Sequence, residues 1–196
     1  MTAKDLQLIQ EYAPLVNGVL TLPDLKVLFS GQSEAALYKK LTSFLREAIL
    51  LKIQRGVYAL PSASLETISS RICPAAYIST GTILARALVI GSIPARRIQA
   101  VKVGWPRTYT WAQGTIEHLS IKPDLYFGFE NKQGVLSACP EKAFLDACYF
   151  MLKGRTFSFD LAEDVALERL DLGRIRQYLE QYEPKFLNWF RKTWGV

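Results

Sequence analysis

Apolar positions near the start of the chain keep a helical period and then change to an alternating one. Leu6, Leu8, Ile9 and Tyr12 recur at helical spacing within 4–13, and Pro14 ends that short helix. A second helix opens at Thr21-Leu22-Pro23-Asp24, where Thr21 can cap and Pro23 sits in the first turn without costing an amide donor. It runs to about Phe29, and Ser30-Gly31-Gln32-Ser33 breaks the pattern. Ser33 opens a third helix with Glu34 in its first turn, where the helix dipole favours an anion. On that helix Leu37, Leu41, Phe44, Leu45 and Ala48 fall on one stripe, the packed side. The opposite stripe holds Gln32, Ala35, Lys39, Thr42, Ser43 and Arg46, with Tyr38 and Lys40 at its flanks. Two β-prone runs, 49–53 and 57–60, then surround Gln54-Arg55-Gly56, a hairpin with Gly56 at a positive φ and Arg55 at the tip.

The small polar stretch Pro61-Ser62-Ala63-Ser64 reads as a boundary, dividing the chain into 1–62 and 63–196. Beyond it, 65–72 and 79–90 read as helices, and 98–103, 109–111, 115–119 and 125–129 read as strands punctuated by Gly and Pro. A helix returns over 138–151, opened by Pro140-Glu141. One or two helices follow within 161–182, and a last aromatic helix follows Pro184. Helices, then antiparallel strands, then helices give an α+β class with an antiparallel sheet in the second part.

Two helices, a turn and a basic hairpin are the order of parts in a winged helix-turn-helix. The small, hydrogen-bonding and cationic stripe of the third helix suits a major groove about 12 Å wide. The candidate DNA contacts are therefore Gln32, Ser33, Tyr38, Lys39, Lys40, Thr42, Ser43, Arg46 and Arg55. An ordinary solvated helix face looks the same, and a hairpin can simply close a three-helix core or mediate protein contacts. The excess of 24 Lys and Arg over 18 Asp and Glu, a net charge of +6, favours phosphate contact without demanding it. A second basic stretch carries Arg96, Arg97, Lys102 and Arg107 around Trp105, with Val101, Val103 and Trp105 expected on one strand face. It is either a surface for RNA or an acidic partner, or a half-buried strand with a solvated outer face. Phe186, Trp189 and Phe190 form an apolar stripe that either closes the second part or meets a partner.

Catalytic chemistry is sparse. Glu141 and Asp146 on one helix lie more than about 100° apart around its axis, so they do not converge. Glu141 suits the helix start, and Lys142 with Asp146 suits a structural ion pair. The single histidine, His118, sits in an apolar strand pattern and reads as a hydrogen-bonded structural residue. No Gly-rich phosphate loop and no paired aspartates of a nucleotidyltransferase or nuclease occur. No enzyme, metal or cofactor is expected, although an RNA-acting site assembled from distant residues stays open. Cys73, Cys139 and Cys148 are odd in number and carry no CxxC pair, as in a reducing compartment. The chain lacks an apolar run of the roughly 20 residues a membrane span needs, and its start lacks a signal-peptide core. A cytoplasmic protein without membrane contact is expected.

Three strings in order carry a likeness over about 1–153: Gln54-Arg55-Gly56-Val57-Tyr58-Ala59-Leu60-Pro61, Tyr77-Ile78-Ser79-Thr80-Gly81-Thr82-Ile83-Leu84 and Ala138-Cys139-Pro140-Glu141-Lys142-Ala143-Phe144-Leu145-Asp146. With these the chain resembles the AbiE-type antitoxins of bacterial abortive-infection toxin–antitoxin pairs, which counter phage. The resemblance implies that the first part binds an inverted-repeat operator and represses its own operon; a dimer on the DNA is left open. It implies that the second part counteracts a nucleotidyltransferase-like toxin without requiring a stable complex. A winged-helix regulator or protein-interaction module without an antitoxin role is the alternative.

Overall fold

A computed structural model describes residues 2–195. Its first helix, α1 (Ala3–Tyr12), starts in a capping box. Thr2 N–H donates to Asp5 Oδ2 at 2.8 Å, and Asp5 N–H donates back to Thr2 Oγ1 at 3.2 Å. The same device recurs where strand β1 (Val19–Thr21) turns into α2 (Leu22–Leu28), with Thr21 and Asp24 as the reciprocal pair. Helix α3 (Glu34–Arg46) is capped by Ser33, whose Oγ accepts from Ala36 N–H at 3.3 Å. The chain then forms a hairpin of β2 (Leu51–Gln54) and β3 (Val57–Ala59). Gly56 takes φ +76° in its turn, and its carbonyl accepts from Leu22 N–H at 2.8 Å, which pins the hairpin tip to the start of α2.

These strands make an antiparallel sheet in the order β1-β3-β2, and its two faces serve different cores. Leu20 and Tyr58 join Ile9, Leu25, Leu37, Leu41 and Phe44 under the three helices. Val19, Ile53, Val57 and Ala59, pointing the other way, join the core of the rest of the chain. An ion pair between Asp24 and Arg71 at 2.7 Å adds a polar tie across the same seam. Packing therefore runs continuously past the 61–64 stretch.

The remainder comprises α4 (Leu65–Ile72), β4 (Tyr77–Ile78), α5 (Gly81–Arg86), β5 (Arg97–Val103), β6 (Arg107–Trp111), β7 (Gly114–Ile121), β8 (Phe129–Lys132), β9 (Val135–Ala138), α6 (Pro140–Leu152), α7 (Leu172–Leu179) and α8 (Pro184–Trp194). The α+β class holds, but the second sheet is mixed, not antiparallel: its order is β6-β7-β5-β4-β9-β8, with β5 parallel to β7 and β4 parallel to β9. The β6–β7 hairpin is antiparallel as its turn dictates, but β7 slots between β6 and β5 and so meets β5 in parallel register. Ser69 of α4 hydrogen-bonds His118 of β7 on one face, whereas Tyr77 of β4 reaches Asp146 of α6 on the other. Helix α8 closes against α6 through Phe144–Phe190 and Phe144–Trp194 contacts, with ring centroids 5.9 and 5.0 Å apart.

Several boundaries move. The helix expected over 79–90 is confined to Gly81–Arg86, and β4 precedes it. The strand expected over 125–129 is instead a 3-10 turn, Pro123–Leu125, followed by β8 from Phe129. Within 161–182 the structure has a 3-10 turn, Leu167–Arg169, and α7. Ala48, expected on the packed stripe of α3, lies beyond the helix end, exposed and at φ +54°.

Candidate nucleic-acid interface

Burial on α3 follows the stripe expected from its period. Leu37, Leu41 and Phe44 are buried and Leu45 is half-buried. Gln32, Ala35, Lys39, Thr42 and Arg46 are exposed, and Ser43 is half-buried at the margin. Because α3 starts just after the Gly31 turn, where φ is +86°, Gln32 and Ser33 stand at its exposed N-terminal end. Ser33 spends its hydroxyl oxygen on the cap, and Thr42 Oγ1 donates to Tyr38 O at 2.9 Å, so Thr42 faces outward with acceptor lone pairs. Arg46 is largely exposed beside Glu47, with 3.3 Å between their charged atoms. Among the described residues Lys39 makes no ion pair, so its charge is uncommitted.

Lys40 departs from the expected flanking role. Its ammonium pairs with the buried Asp5 carboxylate and sits over the Phe29 ring, 5.0 Å from the centroid. Burial pushes the Asp5 carboxyl up, but Lys40 and the Thr2 hydrogen bonds outweigh it and hold the group below its ordinary value. Lys40 is thus a bolt between α3 and α1. Tyr38 remains exposed on the same helix, at 44%.

Arg55 is exposed at the hairpin turn, and Lys52 projects outward from β2 between the inward Leu51 and Ile53. Lys52 was not among the candidate contacts, although the alternation of 51–54 was the signal that could have found it. The outward set is then Lys39, Thr42 and Arg46 on α3 with Lys52 and Arg55 on the hairpin. Such a set can place cations on phosphates and small polar groups against base edges.

The second basic stretch is divided by the fold. Arg96 is exposed. Arg97 faces Glu117 at 3.5 Å, and Lys102 is half-buried. Arg107 stacks its guanidinium over Tyr109, 5.1 Å from the ring centroid. Val101 is buried, but Val103 and Trp105 are 43% and 89% exposed, so the face expected to join them does not exist. Trp105 lies in the turn after β5, where Gly104 takes φ +96°. β6, whose first residue is Arg107, packs beside β2.

Elsewhere the titratable groups are spent on structure. Lys142 and Asp146 pair while fully buried, and Asp146 Oδ2 also accepts from Tyr77 at 2.9 Å and Ser79 at 2.7 Å. Glu141 accepts from Asp171 N–H at 3.1 Å, next to the start of α7. His118 is buried, with Nε2 2.9 Å from Ser69 Oγ; burial first, and then the Lys102 charge, lower its pKa to about 4. Among the described residues no group of three or more His, Cys, Asp or Glu is placed to hold a metal ion, and no helix is long and apolar enough to cross a membrane. No protein-family model matches this chain, nor does any curated protein.

Proposed function

We propose that the chain is a DNA-binding repressor whose amino-terminal part acts as a winged helix-turn-helix, and that it serves as the antitoxin of an AbiE-type pair. The observation that carries the DNA-binding part is the exposure of Lys39, Thr42 and Arg46 along one stripe of α3, together with the exposure of Lys52 and Arg55 on the hairpin that follows it in the chain. In this reading α3 enters the major groove, Lys39 and Arg46 meet base edges or flanking phosphates, and the hairpin places Arg55 on the backbone or in the minor groove. Each phosphate neutralised releases counterions, so affinity falls steeply with salt.

The antitoxin role rests on the likeness of the three strings quoted above, and two of them coincide with built features. Gln54–Pro61 forms the turn and second strand of the hairpin, and Ala138–Asp146 holds the buried Lys142–Asp146 pair. Operator autorepression and antagonism of a nucleotidyltransferase-like toxin are then the expected activities, with a dimer on an inverted repeat. The test is an electrophoretic shift on DNA from upstream of the chain's own gene, paired with co-expression beside the neighbouring gene product. Salt-sensitive, sequence-preferring binding and rescue of growth support the proposal. Absence of any shift at low salt removes its DNA-binding half.

A further inference from the structure

A cavity of about 230 Å³ lies where the start of β5, the start of α5 and the loop after α6 meet. Its wall contains Arg97 and Arg155 but no carboxylate. Behind them stands Glu117, 12% exposed, which pairs with Arg155, lies 3.5 Å from Arg97 and accepts from Gln99 Nε2 at 2.9 Å. Two guanidiniums offer ten N–H donors, more than one carboxylate can take. The surplus is visible: Arg155 Nε is buried without a hydrogen-bond partner. Arg97, 57% exposed, leaves most of its fork turned to the opening. Thr82, Thr156 and Ser158 add hydroxyls to the same wall.

The lining also has an aromatic part, two rings tilted 31° to one another. These are Phe157 and Phe159, with ring centroids 5.3 Å apart. Gly81 makes room for them, since a Cβ there would meet Phe159 Cε1 at 2.8 Å. Thr80, just before it, is fully buried at φ +51° and ψ −138°, a conformation that non-glycine residues rarely adopt, and its Oγ1 donates to Gln99 Oε1 at 2.5 Å. The strained turn thus fixes both the Gln99 amide that orients Glu117 and the glycine that shapes the aromatic wall.

We infer that this cavity binds a nucleoside monophosphate, with its phosphate on Arg97 and Arg155 and its base against Phe157 and Phe159. A tetrahedral group with three free oxygens offers acceptors in three directions, which suits the donors that two guanidiniums on different elements keep beyond those Glu117 takes. The volume of about 230 Å³ lies under the 300–1,000 Å³ common for drug-sized ligands, so a mononucleotide would fill the cavity and reach its mouth, and a dinucleotide is too large. The site is independent of whether α3 meets DNA.

Isothermal titration calorimetry of the full chain with AMP, GMP, CMP and UMP, and separately with inorganic phosphate, tests the assignment. At least one nucleotide should bind saturably with Kd below about 1 mM and roughly tenfold tighter than phosphate alone. Arg97→Gln, at a half-exposed position, should weaken that nucleotide by about tenfold or more while leaving the thermal midpoint within about 2 °C of wild type. Phe157→Ala should narrow the gap between nucleotide and phosphate. No saturable binding by any of the four nucleotides overturns the inference, as does phosphate binding just as tightly or a well-folded Arg97→Gln protein with unchanged affinity.

Discussion

Lys40 and Asp5, thirty-five positions apart in sequence, form an ion pair that ties α3 to the capped first turn of α1. The pair makes one cation of α3 a structural fastener, and this separates two neighbouring lysines by role. Lys40→Met leaves the Asp5 carboxylate, 4% exposed, without its main partner and should cost about 1–3 kcal/mol in urea unfolding. It should leave the salt slope of DNA binding unchanged. Lys39→Ala should do the reverse, reducing that slope by about 1 with stability within about 0.5 kcal/mol of wild type. Equal effects of the two substitutions on the salt slope would show that the assignment of roles is wrong.

On the hairpin, Arg55→Ala combined with Lys52→Ala should lower affinity for all DNA sequences alike if both side chains meet phosphates, which carry no sequence information. Arg46→Ala should cost about 1–3 kcal/mol on the preferred sequence and less on random DNA if it reads a base. Binding curves on operator and scrambled duplexes at two salt concentrations distinguish the two behaviours. Unchanged binding when Arg46, Lys52 and Arg55 are all replaced by alanine would leave the proposed surface without a role.

His118 should make the fold acid-sensitive above the carboxylate range. Its pKa in the fold is about 4, against 6.5 as an ordinary value, so the unfolded chain takes up the proton first as pH falls. Stability is therefore full above pH 6.5 and is lost progressively down to about pH 4, by roughly 2 kcal/mol between pH 7 and pH 5. The Asp5 and Asp24 carboxyls, both held below 3.8, contribute stability above that value and lose it only at lower pH. His118→Gln should flatten the pH 7 to 5 change while keeping a side-chain partner for Ser69. A wild-type protein equally stable at the two pH values would contradict the assignment.

The buried pair on α6 should be costly to halve. Lys142→Met strands Asp146, which is wholly buried, and should destabilise by about 3–5 kcal/mol. Lys142→Met with Asp146→Leu removes both charges but leaves the Tyr77 and Ser79 hydroxyls without their acceptor, so recovery should be partial. Gly128 guards the same place: it sits at φ +73°, and a Cβ would meet Lys142 Cγ at 2.9 Å. Gly128→Ala should therefore lower the thermal midpoint, which calorimetry reads directly.

The parts of the fold that were legible in sequence are those whose signals are local. Thr21 with Pro23, Ser33 with Glu34, and Pro184 mark helix starts within a residue of their observed places, because caps and first-turn prolines act through neighbouring amides. The three-residue β1 and two-residue β4 were not legible, since strands so short show no alternation and exist through their pairing with β3 and β5. The parallel placement of β7 beside β5 depends on long-range order that a turn cannot encode. At the candidate interface the exposed stripe followed from period alone. Lys40 misled because its position flanks the stripe while its partner, Asp5, lies far away in sequence. Trp105 misled because Gly104 ends the strand before the alternation reaches it.

Val19, Ile53, Val57 and Ala59 present their side chains to the larger core from a sheet whose reverse side belongs to the three helices. A severed 1–62 fragment would carry that greasy underside bare to water and would self-associate instead of behaving as a portable reader of DNA. The same partition makes the two halves of the chain poor candidates for exchange with unrelated partners, since each was shaped to the other's relief.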